Sequence, residues 1–277
     1  MNTNKEKKIL VTGGDGMVAS QVDFGVKLGK KELNILDKKS IDSAIKKYQP
    51  EVILHLAAMT DMLACQENPK EARKVNVVGT KNIAEACKKN KVNMVYLSTC
   101  VVFDGKKKTP YGEYDKPHPL NVYGKTKWQG EIIAKKVLPN VLIIRTGWLF
   151  GGGLKNDKKF VCIVFKKLKN GEDIRATDNR YGSPTYIKDL LDTIKKLIKK
   201  DAKGIFHVVN KGIASYFEVA KEIKKVTRFK TKVIPVKSFN IENPKLKRAV
   251  MEALDSSKIK LRPWKIALKR YLEILTS

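Results

Sequence analysis

Short, largely apolar runs recur along roughly the first half of the chain: Ile9-Leu10-Val11, Val52-Ile53-Leu54-His55-Leu56, Met94-Val95-Tyr96-Leu97 and Val141-Leu142-Ile143-Ile144. Runs that do not alternate with polar residues read as strands covered on both faces, as in a parallel sheet. Between them the spacing turns helical. Ile41, Ala44, Ile45 and Tyr48 share a helix face, with Ser40 as the expected N-cap and Pro50 as the stop. A long helix is expected from Glu67 to Lys89, with Val75, Val78, Ile83 and Ala86 inward. Another is expected to begin at Tyr123. Alternating strand and helix predicts an α/β fold with a doubly wound parallel sheet.

The pattern departs from this alternation in two places. The first helix is short, because Val26-Lys27-Leu28 already reads as the second strand, and Leu33 to Asp37 then reads as a loop. Beyond residue 150 the apolar runs thin out. A helix around Val161 to Leu168, a helix from Ile187 to about Lys199 and a strand at Ile205 to Val209 are expected, the last two returning to the main sheet. From Ser215 to Ser277 short helices and one extended stretch at Lys232 to Pro235 are expected. The expected division is therefore residues 1–150, with 185–210 returning to them, and a smaller C-terminal lobe of 151–184 and 211–277 that binds substrate.

Composition narrows the class. The 277 residues carry a formal charge of +29 and are 42% hydrophobic. The lysines are spread along polar helix faces and no recognition helix or RNP-like aromatic pattern accompanies them, so solvated faces are expected rather than a nucleic-acid partner. No apolar run approaches the ~20 residues that span a membrane. The polar start, Met1 to Lys8, runs directly into a strand, which predicts a cytoplasmic protein. The four cysteines form no C-x-x-C pair, so reduced, buried thiols and no metal site are expected.

Candidate chemistry concentrates at strand ends. Gly13-x-x-Gly16-x-x-Ala19 follows the first strand and opens a helix. There Gly13 allows a tight turn and Gly16 lets backbone approach a pyrophosphate, while Ala19 permits close packing of helix on strand. This makes the predicted sheet a Rossmann-type, NAD(P)-binding one. The second strand ends in Gly29-Lys30-Lys31 instead of the acid that binds a ribose 2′-hydroxyl. That favours the 2′-phosphate of NADP(H), with NAD(H) the open alternative because Glu32 is close by. The loop bearing Asn34 and Ile35 is placed to pass an adenine. Ala57 and Ala58 are small enough for a cofactor to lie against the third strand. Thr99 ends an apolar strand, and Tyr123 and Lys127 lie one helical turn apart on one face. A phenol beside an ammonium is a proton donor of lowered pKa, and a threonine hydroxyl can hold the reacting oxygen against it.

These residues resemble the extended short-chain dehydrogenase/reductases, and within them the dTDP-4-dehydrorhamnose reductases, also called RmlD-like sugar-nucleotide reductases. The resemblance is carried by Gly13-x-x-Gly16-x-x-Ala19, His55-Leu56-Ala57-Ala58, Asn76 to Thr80, Leu97-Ser98-Thr99, Val102-Phe103-Asp104-Gly105 and Tyr123-x-x-x-Lys127. Arg145 to Trp148, Gly182 to Tyr186, Gly204 to Asn210 and Leu261 to Trp264 extend it over nearly the whole chain. It implies Tyr123 as proton donor, Lys127 as its activator and nicotinamide-ribose ligand, and Thr99 as hydroxyl partner. It implies that Gly13, Gly16, Met17 and Val18 line the pyrophosphate, with Lys30, Asn34 and Ile35 further along the cofactor. Ala57, Ala58 and Thr60 would line the nicotinamide side. Trp148 and Arg180 would lie near the sugar nucleotide, with Cys100 and Val101 facing the deoxysugar.

Two departures qualify the resemblance. Such reductases usually carry Asp and Tyr where this chain has Cys100 and Val101, and Asp61-Met62 replaces a common Ala-Val. The expected function is NADP(H)-dependent reduction of a nucleotide-linked 4-keto-6-deoxy sugar, in deoxysugar or polysaccharide precursor biosynthesis, by a monomer or homodimer. A non-catalytic NADP-binding regulatory subunit and an NAD-retaining epimerase or dehydratase are the alternatives.

Overall fold

A computed structural model describes residues 7–237, 243 and 245–276. Most of the polar start and part of the late irregular stretch lie outside the described residues. The chain divides into two compact units. One comprises residues 1–99, 122–145 and 191–206, and the other 100–121, 146–190 and 207–277. Residues 100–121, expected in the dinucleotide-binding part, thus group with the second unit.

The first unit is built on a six-stranded sheet. Its strands are β1 (Ile9–Thr12), β2 (Val26–Leu28), β3 (Val52–His55), β4 (Asn93–Thr99), β5 (Leu142–Thr146) and the strand Gly204–His207. From one edge the order is β2, β1, β3, β4, β5 and Gly204–His207, and β1 pairs in parallel with both β2 and β3. The order reverses at β1, so the crevice at its carboxyl end is the topological switch point, where open α/β sheets bind ligands. Register aligns Thr12 with Leu28 and with His55, and His55 with Tyr96. β4 continues past that line through Leu97, Ser98 and Thr99, so its end overhangs the switch-point edge.

The helices follow the sequence pattern with three corrections. The first helix, α1 (Met17–Ser20), is as short as expected. α2 (Lys38–Tyr48) is capped by Asp37, whose carboxylate accepts from the Lys39 amide, and not by Ser40. The Ser40 hydroxyl instead accepts from the Asn34 amide and ties the preceding loop. The expected long helix is broken into α3 (Met62–Glu67), α4 (Pro69–Arg73), a π-turn at Lys74–Gly79 and α5 (Thr80–Asn90). Pro69, lacking an amide hydrogen, starts a new helix at its first position. The π-turn rotates Asn76 inward and Val78 outward, so Val78 is exposed rather than core. α6 (Val122–Val137) follows. The core of this unit packs Leu10, Ile53, Tyr96 and Ile143 of the sheet against Ile41 and Ile45 of α2 and Ile83 and Cys87 of α5.

The second unit packs the helices Phe160–Lys169, Tyr216–Thr227 and Trp264–Thr276 with short strand pairs, one of them Ile174–Thr177 beside Val233–Val236. Phe150, Phe165, Tyr186, Trp264 and Tyr271 form its core. Among the described residues no helix is long and apolar enough to cross a membrane.

Candidate active site

The glycine turn sits at the switch point because nothing larger fits there. Gly13 has φ +71°, and a Cβ on it would stand 2.8 Å from the Ala57 backbone; one on Gly14 would stand 2.8 Å from Leu28. Thr12 locks the ends of β1 and β3 together. Its hydroxyl accepts from the Ala57 amide at 3.2 Å and pairs with His55 Nδ1 at 2.8 Å. His55 Nε2 meets the Thr80 hydroxyl at 3.2 Å, and that hydroxyl donates to the Asn76 carbonyl. The chain of donors fixes a neutral His55 with its proton on Nε2. Burial, and then the charge of Lys127, bring the His55 pKa down to about 3.

At the end of β2 the structure corrects the reading that no acid is present. Asp15 reaches over from the glycine turn and accepts from the Lys30 amide at 3.1 Å, while Glu32 accepts from the Gly29 amide at 2.6 Å. Both carboxylates are spent on backbone, while Lys30 and Lys31 are exposed. Asp15 was legible as a residue of the glycine turn, but its reach across to β2 was not. Asn34 bends its own loop by accepting from the Leu36 amide. Ile35 is buried, its carbonyl held by Asn82, with Gly79 leaving room for its side chain. Gly16 is the residue before α1 and no side chain caps that helix. Met17 and Val18 open α1 half-buried. Ala57 and Ala58 are half-buried after β3, and Thr60 is exposed.

The three proposed reacting groups lie where β4 meets α6. Thr99 ends β4 and is buried, Tyr123 is half-buried, and Lys127 is only 3% exposed. Lys127 Nζ donates to the Leu97 carbonyl at 2.8 Å and stands 4.1 Å from the centre of the Tyr96 ring. The Tyr96 hydroxyl donates back to the Lys127 carbonyl at 3.3 Å. A Cβ at Gly130 would stand 2.3 Å from that hydroxyl, so glycine is required one turn on. Burial lowers the Lys127 pKa to about 7, with Glu131 opposing the shift. Asn76 clamps the neighbouring loop. Its side chain accepts from the Met59 amide and donates to the Met59 carbonyl and to the Thr126 hydroxyl. These bonds make Asn76 a structural hydrogen bonder.

In the second unit Cys100 and Val101 are buried in a 3₁₀ turn, with Cys100 Sγ seated against Gly147. Trp148, at φ +47°, stacks on Tyr216 with ring centres 3.9 Å apart and donates Nε1 to Glu252 at 2.7 Å. Arg180 is buried, donates to the Ala249 carbonyl and lies 3.9 Å from Glu252. Arg248 donates to the Tyr216 hydroxyl and to Glu252. Trp148 and Arg180 are thus brought together on Glu252. Sequence reasoning missed Glu252, Tyr216 and Arg248, and no local motif marks them.

A parallel sheet with a glycine turn at its switch point, and a Tyr-x-x-x-Lys helix behind an overhanging strand, defines an NAD(P)-binding fold of the extended short-chain dehydrogenase/reductase type. Within that class the chain belongs to the family described as RmlD substrate binding domain, which matches residues 7–277. The spore coat polysaccharide biosynthesis protein SpsK of Bacillus subtilis is 32% identical over 278 residues, covering 96% of this chain and 97% of that protein. A dTDP-4-dehydrorhamnose reductase of Streptomyces griseus is 30% identical over 280 residues, covering 94% and 91%. The crystal structure of a Bacillus anthracis dTDP-4-dehydrorhamnose reductase in complex with NADP superposes with a TM-score of 0.92 at 28% identity, covering 98% of this chain and all of that one.

Proposed function

We propose that this protein is an NADP(H)-dependent reductase of a nucleotide-linked 4-keto-6-deoxy sugar. The observation that carries the reading is Lys127, buried and anchored to Leu97 one helical turn from Tyr123. The relatives' names and the NADP-bound neighbour support the substrate class and the cofactor.

The residues fit a dinucleotide. The glycine turn suits a pyrophosphate, its one side chain, Asp15, being turned toward the Lys30 amide, and the lack of a side-chain cap leaves backbone amides there for an anion. Met17 and Val18 would flank it. Lys30 is exposed where a 2′-phosphate would fall, and Asn34 and Ile35 belong to the loop beside it. Ala57, Ala58 and Thr60 would face the nicotinamide. When bound, the cofactor supplies the hydride for C4. Tyr123 donates its phenolic proton to the carbonyl oxygen as charge builds there, and the Thr99 hydroxyl holds that oxygen. Lys127, as ammonium, stabilises the phenolate left on Tyr123 and binds the nicotinamide ribose. General acid help of this kind contributes ~10²–10⁴-fold.

On the same reading the first unit serves the dinucleotide and the second the sugar nucleotide, through Trp148, Arg180, Cys100 and Val101. The protein would act in the cytoplasm as a monomer or homodimer, on a small molecule rather than a nucleic acid. The test is NADPH oxidation with dTDP- and UDP-4-keto-6-deoxyhexoses. Stoichiometric consumption is expected. Bound NADPH without turnover on any nucleotide would overturn the reading. Tightly held oxidised cofactor with no net consumption would point to an epimerase or dehydratase instead.

A further inference from the structure

Behind Lys127 lies a buried charge pair that the proposed chemistry does not use. Glu131 is one turn beyond Lys127 on α6 and 4% exposed. Its carboxylate is gripped from the sheet. Arg145 of β5 donates Nε to Oε1 at 2.9 Å and Nη2 to Oε2 at 2.7 Å, and Ser98 of β4 donates its hydroxyl to Oε1 at 2.5 Å. Tyr123, Lys127 and Glu131 therefore form a column along one helix face, phenol, ammonium and carboxylate in order.

We infer that Glu131, anchored by Arg145 and Ser98, is a positioning residue whose carboxylate holds Lys127 in its ammonium form beside Tyr123. This rests on the reductase reading for its catalytic consequence, though not for the charge coupling itself. The other groups facing Lys127 do not supply that charge. His55 of β3 is neutral, the Leu97 carbonyl offers only a dipole, and the Tyr96 ring offers its face. Burial, and then Glu131, push the Tyr96 phenol well above its ordinary range, so it stays protonated. Tyr123 is on the same helix face as the proton donor. Arg145 is positive and is matched by Glu131 in a bidentate pair. Burial favours the neutral amine at Lys127, and Glu131 is the carboxylate that opposes it.

The test follows the Lys127 ammonium directly, by NMR titration of protein carrying ¹⁵N-lysine, with the signal assigned by its loss in Lys127→Met. It is paired with the pH profile of kcat/KM for NADPH-dependent reduction. In Glu131→Gln the Lys127 midpoint and the alkaline limb of the profile should both move toward acid by about one pH unit, a loss of about tenfold above the limb. Glu131→Asp, which keeps the charge, should restore both. Glu131→Gln with Arg145→Met removes the two opposite charges together and guards against a single variant that fails to fold. It should still shift the midpoint toward acid, by less than Glu131→Gln alone because the Arg145 cation is lost with it. A Lys127 midpoint unmoved in folded Glu131→Gln overturns the inference even if the enzyme turns over. A shifted midpoint in a protein that reduces no sugar nucleotide upholds the coupling and fails the reductase reading alone.

Discussion

Each unit buries a carboxylate against arginine, Glu131 in the first and Glu252 in the second, and the two are built differently. In the first, Glu131 meets Arg145 through two short bonds and Ser98 through a third, so it is held closely from two strands. In the second, Glu252 is shared. Trp148 Nε1 lies at 2.7 Å, Arg248 at 3.3 Å and Arg180 at 3.9 Å, and both arginines have other acceptors. A tight, bidentate pair fixes one side chain and one charge. A shared one tolerates loss of a member and lets the group around it readjust. On the proposed reading the first arrangement steadies the charge beside Lys127, and the second leaves the group around Glu252 room to readjust.

The strongest way to break this contrast is through activity. Tyr123→Phe removes the proposed proton donor and little else, because the ring stays in place. Turnover should fall ~10²–10⁴-fold while NADPH binding, measured by fluorescence, holds. A loss of less than about tenfold would leave Tyr123 as a packing residue and put the first region on the same footing as the second.

Stability separates the two carboxylates next. Arg145→Met leaves Glu131 buried with Ser98 as its one remaining hydrogen-bond partner among those described and should cost about 3–5 kcal/mol. Arg248→Met leaves Glu252 with Trp148 and Arg180, and Arg248 is itself 16% exposed at its side chain. That loss should be about 1 kcal/mol. Urea midpoints of the two variants measure the difference, and equal losses would erase the distinction drawn between a bidentate and a shared pair.

The same contrast explains what could be read from the chain. Tyr123 and Lys127 are a turn apart on one helix, and the glycine turn is a single contiguous motif, so spacing alone exposes them. Ser98 and Thr99 follow from the apolar run of β4. Glu131 was within reach of the same periodicity but looked like any acid on a lysine-rich helix. Glu252 was out of reach, because its partners Trp148 and Arg180 are distant in sequence and meet it only through tertiary packing. The broken helix between Met62 and Asn90 was missed for a local reason. Its apolar spacing continues across Pro69, and only the inward turn of Asn76 toward Met59 and Thr126 shows why the register shifts. Asp15 at the end of β2 shows the converse: a motif position was legible while its reach was not.

Acid sharpens the first region further. The folded pKa of His55, about 3, lies below its ordinary 6.5. Between those values the unfolded chain binds a proton that the folded chain does not, so stability falls as pH drops from 6.5 toward 3, by about 1.4 kcal/mol per pH unit at most. Above 6.5 the group is neutral in both states and contributes no slope. Relative to His55→Asn, which cannot take up that proton, the wild-type advantage in urea midpoint should shrink steadily through this window. A constant gap would mean that His55 protonates in place and that the Thr12–His55–Thr80 chain does not fix its tautomer.

The smallest effect is expected from Trp148→Phe, and it probes the second region alone. Trp148 sits at φ +47°, which strains any residue with a side chain, so tryptophan and phenylalanine bear the same backbone penalty. Phenylalanine keeps an aromatic face for Tyr216 and loses the Nε1 bond to Glu252 and part of the ring that lies over Gly182. Glu252 retains both arginines, so the stability loss should stay near 1 kcal/mol. If the shared carboxylate shapes a sugar-nucleotide surface, KM for the nucleotide sugar should rise about fivefold with kcat within about twofold, the signature of lost uniform binding. A fall in kcat with KM unchanged would move Trp148 into the reacting group's company. An unchanged KM and kcat would leave the Trp148–Glu252 contact as packing, and the two buried carboxylates would then differ in geometry without differing in use.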